Sequence, residues 1–334
     1  MRDISFFSED TYLYLPNTKH PKVILAVSDA KTSQNAYKLY NPFSFKAKVL
    51  KKISQFLFVN FNKLTLSLVK TKSHQKSDFI KHLENKLNTK FSISVYHATD
   101  KDKVVLQLQS NKRVYGYLKF PLNKVGIDNI NNEKKAITLL SKKNIIKSFI
   151  LEDTYNSIPY FILSELKGDI ENLADKAIET LIFKLKKENT FQLIDHQRIK
   201  DLYADIETLQ LKSYKSKIDR IVKRSTIHYH EAFEHGDFTP WNIVKTNEGI
   251  IPFDFEFFVE NGIEYFDLIK YHFQVGRLLK KKNPKELALY IFNKINNIEV
   301  KDIVSLFLIK EIIRLKKIGQ TYQFHDNMLN HICE

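Results

Sequence analysis

Apolar and polar positions repeat with two different periods along this chain, and the change of period divides it. Thr11–Leu15 alternates as a strand does, and Val23–Val27 is a short apolar run of β type. Gln34–Leu57 repeats with a helical period, interrupted at Asn41-Pro42, and Ser77–Leu87 predicts a further amphipathic helix. From Phe91 the period shortens to two. Phe91–His97, Val104–Gln109 and Arg113–Phe120 predict three strands joined by polar turns at 98–103 and 110–112. A helix is predicted over Asn129–Leu140 and a strand over Tyr160–Glu165. From Glu171 the helical period dominates, in Glu171–Lys187, Gln197–Ser216, Glu264–Leu279, Lys285–Ile295 and Val300–Ile318, with short β segments between the second and third of these. Strands followed by helices predict an α+β chain in two parts, not an alternating doubly wound sheet. The expected organisation is a mixed N-terminal extension over 1–90, a β-rich part over 91–166 and a helical part over 167–334.

Composition narrows the setting. The 334 residues are 43% hydrophobic and 27% charged, the balance of a globular protein with a sizeable core. Gly and Pro number eight each, so no long flexible linker is expected. One cysteine, Cys333, cannot close an internal disulfide, and Met1–Asp10 carries acids without an apolar run, so no signal peptide is expected. Both observations favour a cytoplasmic location. The most apolar stretches, Ile53–Val59 and Val304–Ile309, fall short of the roughly 20 residues that span a bilayer, so no transmembrane segment is expected.

The net charge of +15 admits nucleic acid, an anionic membrane surface touched peripherally, or an anionic small substrate. No RNA-binding aromatic signature, zinc knuckle or helix-turn-helix pattern accompanies it, so nucleic acid is not the expected partner. The densest run, Lys280-Lys281-Lys282-Asn283-Pro284-Lys285, reads as a solvated helix end whose cations complement the helix dipole.

One stretch carries chemistry: His235-Gly236-Asp237-Phe238-Thr239-Pro240-Trp241-Asn242, then Asp254-Phe255-Glu256. Phosphoryl transfer needs a carboxylate to orient an attacking hydroxyl, and hard oxygen ligands for magnesium, usually a carboxylate and an amide carbonyl. Asp237, Asn242 and Asp254 supply these types in that order. Asp254 follows the apolar run Ile250–Phe253, where a carboxylate is costly without a cation or donors. His235 reads as a structural support of the loop, Pro240 and Trp241 as its stiffening, and Asp267 as a helix-start carboxylate that supports it. Upstream, Lys119 ends the third strand, and Glu133 follows fourteen residues on, in the first turn of the next predicted helix. Singly they read as a strand-end lysine and a helix N-terminal acid. Ahead of the Asp237 motif, their order suits a phosphate lysine held by a helix glutamate.

At these residues the chain resembles the aminoglycoside phosphotransferase and choline kinase branch of the protein-kinase-like superfamily, over about Phe91 to Leu279. The resemblance implies a bilobal fold with a small β-rich N-lobe and a larger helical C-lobe. It implies ATP and Mg2+ as cofactors, with transfer of the γ-phosphoryl group to a hydroxyl of a small molecule: a sugar, amino sugar, amino alcohol or aminoglycoside. Asp237 would be the catalytic base, Asn242 and Asp254 the magnesium ligands, and Lys119 the phosphate lysine held by Glu133. The adenine would lie against Ser164, Glu165 and Leu166. The turn 97–103 has no glycine where protein kinases place a glycine loop, a lack common in this branch, and Thr99 or Lys101 could reach phosphate instead. Glu256 stands where protein kinases have glycine. Residues 1–90 loosely resemble extensions on relatives linked to bacterial surface-polysaccharide synthesis. The basic composition favours a sugar-like acceptor over a polycationic one, unless Glu256, Glu260 and Glu264 build an acidic pocket. A kinase-like module that binds nucleotide or a partner without turnover is the alternative.

Overall fold

The alternating segments of the first half form one eight-stranded antiparallel sheet. The structure, a computed structural model, describes residues 4–40, 45–97, 102–168 and 173–333, in two compact units that divide between Leu166 and Lys167. The strands of the first unit are β1 (Thr11–Leu15), β2 (Val23–Ala26), β3 (Lys72–Ser73), β4 (Ser92–His97), β5 (Lys103–Ser110), β6 (Arg113–Pro121), β7 (Leu151–Tyr155) and β8 (Ile158–Leu163). They lie in the order β3-β1-β2-β4-β5-β6-β8-β7, so residues before Phe91 widen the sheet at one edge. Its helices are α1 (Ala30–Ala36), α2 (Phe45–Asn60), α3 (Asn62–Leu68), α4 (Asp78–Leu87) and α5 (Lys124–Lys142).

Period-two alternation assigns each strand residue a face. On one face Leu106, Leu118, Phe120 and Ile162 pack with Phe6 and with Phe79, Ile80 and Leu83 of α4. Phe79 sits edge-on to Phe6 and Phe120, with ring centroids 5.6 and 5.1 Å apart. Truncating so central a ring typically costs about 3–5 kcal/mol. On the other face α5 places Ile130 and Ile137 against Phe161. The helix α5 begins five residues earlier than its periodicity suggests. The Asn123 side chain caps it by accepting from Gly126 N at 2.8 Å, and that glycine in the first turn hid the start. Strand β7 carries Glu152 and Asp153 at an edge, which masked it in the sequence.

The second unit is mostly helical: α6 (Asp175–Leu185), α7 (Gln197–Thr208), α8 (Lys212–Arg224), α9 (Phe266–Gln274), α10 (Pro284–Phe292), α11 (Val300–Lys317) and α12 (Gln323–Cys333). The segment read as one helix over Gln197–Ser216 is two, broken where Gln210 takes φ 56°. The segment read over Glu171–Lys187 ends at Leu185 and continues as β9 (Lys186–Phe191); its first residues lie outside the described ones. Strand β10 (Tyr229–Glu234) runs between β9 and β13 (Val259–Ile263), and β11 (Ile243–Thr246) pairs with β12 (Gly249–Pro252) as a hairpin. Helix α11 is buried on nearly every side and centres this unit. The chain is thus α+β, a β-rich unit followed by a helical one. Among the described residues, no helix is long and apolar enough to cross a membrane.

Candidate active site

In the first unit the sheet itself decides where Lys119 goes. Leu118 and Phe120 face the α4 side, so Lys119 faces α5. Glu133 lies on the buried stripe of α5 between Ile130 and Ile137. It stands in the third turn, not the first, because the helix starts at Lys124. The dipole therefore has no claim on it, and a carboxylate buried to 1% exposure needs a cation. Lys119 Nζ meets both its oxygens, at 2.6 and 2.8 Å. Lys119 pairs with Phe161 in the neighbouring β8, and that strand runs directly into Ser164, Glu165 and Leu166. Those three residues are half-buried, and Glu165 lies 3.5 Å from Lys38. Thr99 and Lys101, the side chains considered for phosphate, lie outside the described residues.

In the second unit β10 delivers the loop that starts at His235. Gly236 has φ 82°, and a Cβ there would fall 2.2 Å from the Phe257 carbonyl oxygen, so only glycine fits this turn. Asp267, in the first turn of α9, accepts from His235 N at 2.6 Å and from Gly236 N at 3.1 Å. Its carboxyl is pushed up to about 7, first by burial and then by the Glu234 charge, against the pull of those two amides. His235 is fully buried. Its Nε2 donates to the Phe253 carbonyl at 2.9 Å, and its Nδ1 accepts from Asp237 N at 3.3 Å. Both ring nitrogens thus serve the backbone, which is the structural part read from the sequence. The Phe255 ring lies 4.4 Å from the imidazole, tying the loop to the turn at Asp254.

Asn242 closes the loop. Its Nδ2 donates to the Asp237 carbonyl at 2.9 Å and to Asp237 Oδ2 at 3.1 Å. Both bonds use the amide nitrogen, so Oδ1 is the atom that can take a cation. The Asn242 carbonyl accepts from Phe253 N at 2.9 Å, extending the β11–β12 hairpin by one rung. Asn242 and the residue before Asp254 are therefore held side by side. Asp254 itself adopts φ 68°, a left-handed backbone that is uncommon outside glycine and concentrates at functional turns. An amide oxygen and a carboxylate on adjacent turns form a hard donor set of the kind magnesium takes, with water and phosphate completing the shell.

Two residues of this site went unrecognised in the sequence. Lys270, on α9 one turn after Asp267, is 3% exposed. Its Nζ lies 3.6 Å from Asp237 Oδ1 and donates to Glu311 Oε2 of α11 at 2.8 Å. Burial alone would raise the Glu311 carboxyl, but Lys270, Lys310 and Arg314 outweigh it and hold the group well below its usual range. The signal in the sequence was weak, because Lys270 stands between Asp267 and His272, and Glu311 between Lys310 and Arg314. Glu264, considered for an acidic acceptor pocket, is committed to the fold, accepting from His230 N at 2.8 Å and pairing with Lys186 at 3.1 Å.

The sequence matches no protein-family model and no curated protein. Solved structures similar to the chain include aminoglycoside and macrolide phosphotransferases and ethanolamine and choline kinases. An ethanolamine kinase of Plasmodium vivax is 12% identical over 91% of this chain and 94% of its own, with a TM-score of 0.46. A macrolide 2'-phosphotransferase of Brachybacterium faecium is 9% identical over 76% and 97%, with a TM-score of 0.48. An amicoumacin kinase, solved with AMP-PNP and Ca2+, is 14% identical over 71% and 86%, with a TM-score of 0.44.

Proposed function

We propose that the chain is an ATP- and magnesium-dependent phosphotransferase of the aminoglycoside phosphotransferase and choline kinase type, acting on a hydroxyl of a small molecule. The observation that carries this reading is the Asp237 carboxylate, fixed through Oδ2 by Asn242 and approached at Oδ1 by Lys270. Two contacts hold the plane of a group that is still about one-third exposed, with a side-chain exposure of 34%. A carboxylate so held can accept the proton of an acceptor hydroxyl as its oxygen bonds to the γ-phosphorus. The bond from that phosphorus to the β–γ bridging oxygen breaks, and ADP leaves. Asn242 Oδ1 and Asp254 would hold magnesium, which when bound offsets phosphate charge. Lys119, oriented by Glu133, would offset phosphate charge, and Ser164–Leu166 would offer backbone groups to the adenine edge.

For the acceptor, the net charge of +15 and the commitment of Glu264 within the fold favour a neutral or anionic sugar-like molecule over a polycation. An acceptor screen with labelled ATP over sugars, amino sugars, amino alcohols and aminoglycosides tests this. Asp237→Asn tests the mechanism. It should lower transfer by about 10²–10⁴-fold while magnesium-ATP still raises the melting temperature. Transfer by Asp237→Asn at the wild-type rate would remove Asp237 as the base. Stabilisation of the wild-type protein by ATP, without hydrolysis or transfer to any acceptor, would instead favour a silent binding module.

A further inference from the structure

Helix α2 wears its amphipathicity inside out. A helix on a globular surface normally turns its apolar stripe inward. The face that α2 turns inward carries Ala47, Lys51, Ser54 and Gln55, with Phe58 as its one large apolar residue. Ser54 and Tyr37 share a hydrogen bond there through their hydroxyls. Across the chain reversal, Asn62 Nδ2 at the start of α3 donates to Val27 O at 3.0 Å, so polar contacts pin the hairpin to the sheet end beside the packing of Phe58 and Leu66. The opposite face presents Phe45, Leu50, Ile53 and Phe56, and α3 adds Leu64 and Leu68, each more than half exposed. Single exposed apolar residues are ordinary, but a contiguous set on two consecutive helices marks an interaction surface.

Charge decides what that surface meets. Between Asp29 and Asp78 there is no acidic residue, and the 48 intervening positions carry ten lysines. On α2, Lys46 projects from the apolar arc, and Lys48 and Lys52 flank it; all three are exposed. A second copy of the same face would bring lysines against lysines with no carboxylate in the hairpin to pair them, which argues against a two-fold dimer. An anionic bilayer satisfies both features, because apolar side chains enter the acyl boundary while lysines reach the headgroups.

We propose that the α2–α3 hairpin is a peripheral membrane-docking element that seats the protein on an anionic lipid surface. This rests on the first unit alone and is independent of the phosphotransferase reading. Each lysine near an anionic surface multiplies partitioning by about fivefold. The 334-residue chain should float with vesicles of phosphatidylcholine containing roughly one-third phosphatidylglycerol, and should remain unbound with pure phosphatidylcholine. Ile53→Glu with Phe56→Glu should abolish flotation. Lys46→Glu, Lys48→Glu and Lys52→Glu together should lower it by at least about a hundredfold. Since these side chains are exposed, both variants should keep the wild-type melting temperature, which separates lost docking from lost folding. Failure of the wild-type chain to float with anionic vesicles would overturn the proposal. So would flotation that the two variants leave unchanged, or equal flotation with neutral vesicles. A concentration-dependent dimer that Phe56→Glu dissociates would reassign the face to self-association.

Discussion

Two buried lysine–carboxylate pairs, one in each unit, look alike on a list of ion pairs and differ in what they hold. Lys119 is the partly accessible member of its pair, with side-chain exposures of 12% for Lys119 and 1% for Glu133. The glutamate is the deeper partner and holds the ammonium through both its oxygens. In the second unit the lysine is the support. Lys270 is 4% exposed at its side chain, Glu311 2% and Asp237 34%, so the chain of contacts runs from a buried carboxylate through a buried ammonium to an accessible carboxylate. The first arrangement presents a cation and the second presents an anion. In both, the buried partner repays part of its desolvation by fixing the position of the exposed one.

This contrast can be broken most forcefully at the buried ends. Glu311→Gln leaves Lys270, Lys310 and Arg314 without their shared carboxylate and should cost about 3–5 kcal/mol in a urea melt. Lys270→Met with Glu311→Leu removes the most buried pair and should recover part of that stability, the rest staying lost at Lys310 and Arg314, and transfer should stay depressed by roughly tenfold because Asp237 loses one of its two anchors. Full transfer by that double variant would reduce Lys270 to a structural residue and erase the contrast. In the first unit, Lys119→Met should lower kcat/KM for ATP by about 10²–10³-fold. Pairing it with Glu133→Leu should restore the melting temperature without restoring activity. If Lys119→Met changes the melting temperature and leaves kcat/KM for ATP intact, the cation serves the fold and not the phosphate.

The same contrast explains what could be read without coordinates. Lys119 and Glu133 are fourteen positions apart, and Asp237 and Asn242 five, so each pair lies within one strand-helix or loop unit whose spacing is visible. Lys270 stands 33 positions from Asp237 and 41 from Glu311, and only the packing of α9 on α11 brings them together. The alternation of β4, β5 and β6 was legible for a related reason, since a half-buried strand must show its period. The edge strand β7 and the short α3 were not, because β7 sets Glu152 and Asp153 between its apolar ends and α3 spans only seven residues. Helix α12, which packs on α10 and α11, was missed although Phe324, Met328, Leu329 and Ile332 keep a helical spacing. The loop around Asp237 was read from residue types, but its support by Asp267 became specific only when two backbone amides were seen to converge on that carboxylate.

The smallest expected effect concerns protons and belongs to the second unit. Burial, the leading cause for both His272 and His325, lowers each from 6.5 to about 4. Each therefore stays neutral in the folded chain at pH values where the unfolded chain would already be protonated. Their contribution is fully present above pH 6.5 and is lost as pH falls from there toward about 4, by about 2–3 kcal/mol for each ring. Asp267 works in the opposite sense. Its carboxyl is raised, so the strain of ionising it is absent at low pH and grows as pH rises through about 7. A wild-type pH profile sums these opposing slopes, and a variant is needed to separate them. His325 stacks on Phe273 with ring centroids 4.8 Å apart and planes 16° from parallel, so His325→Phe keeps a ring in place while removing one titration. Urea melts of the two proteins at pH 6.5 and pH 4.5 should show the variant losing about 2 kcal/mol less than wild type over that interval. Equal losses would mean that water reaches the imidazole in the folded chain, and that this end of α12 is looser than its burial suggests.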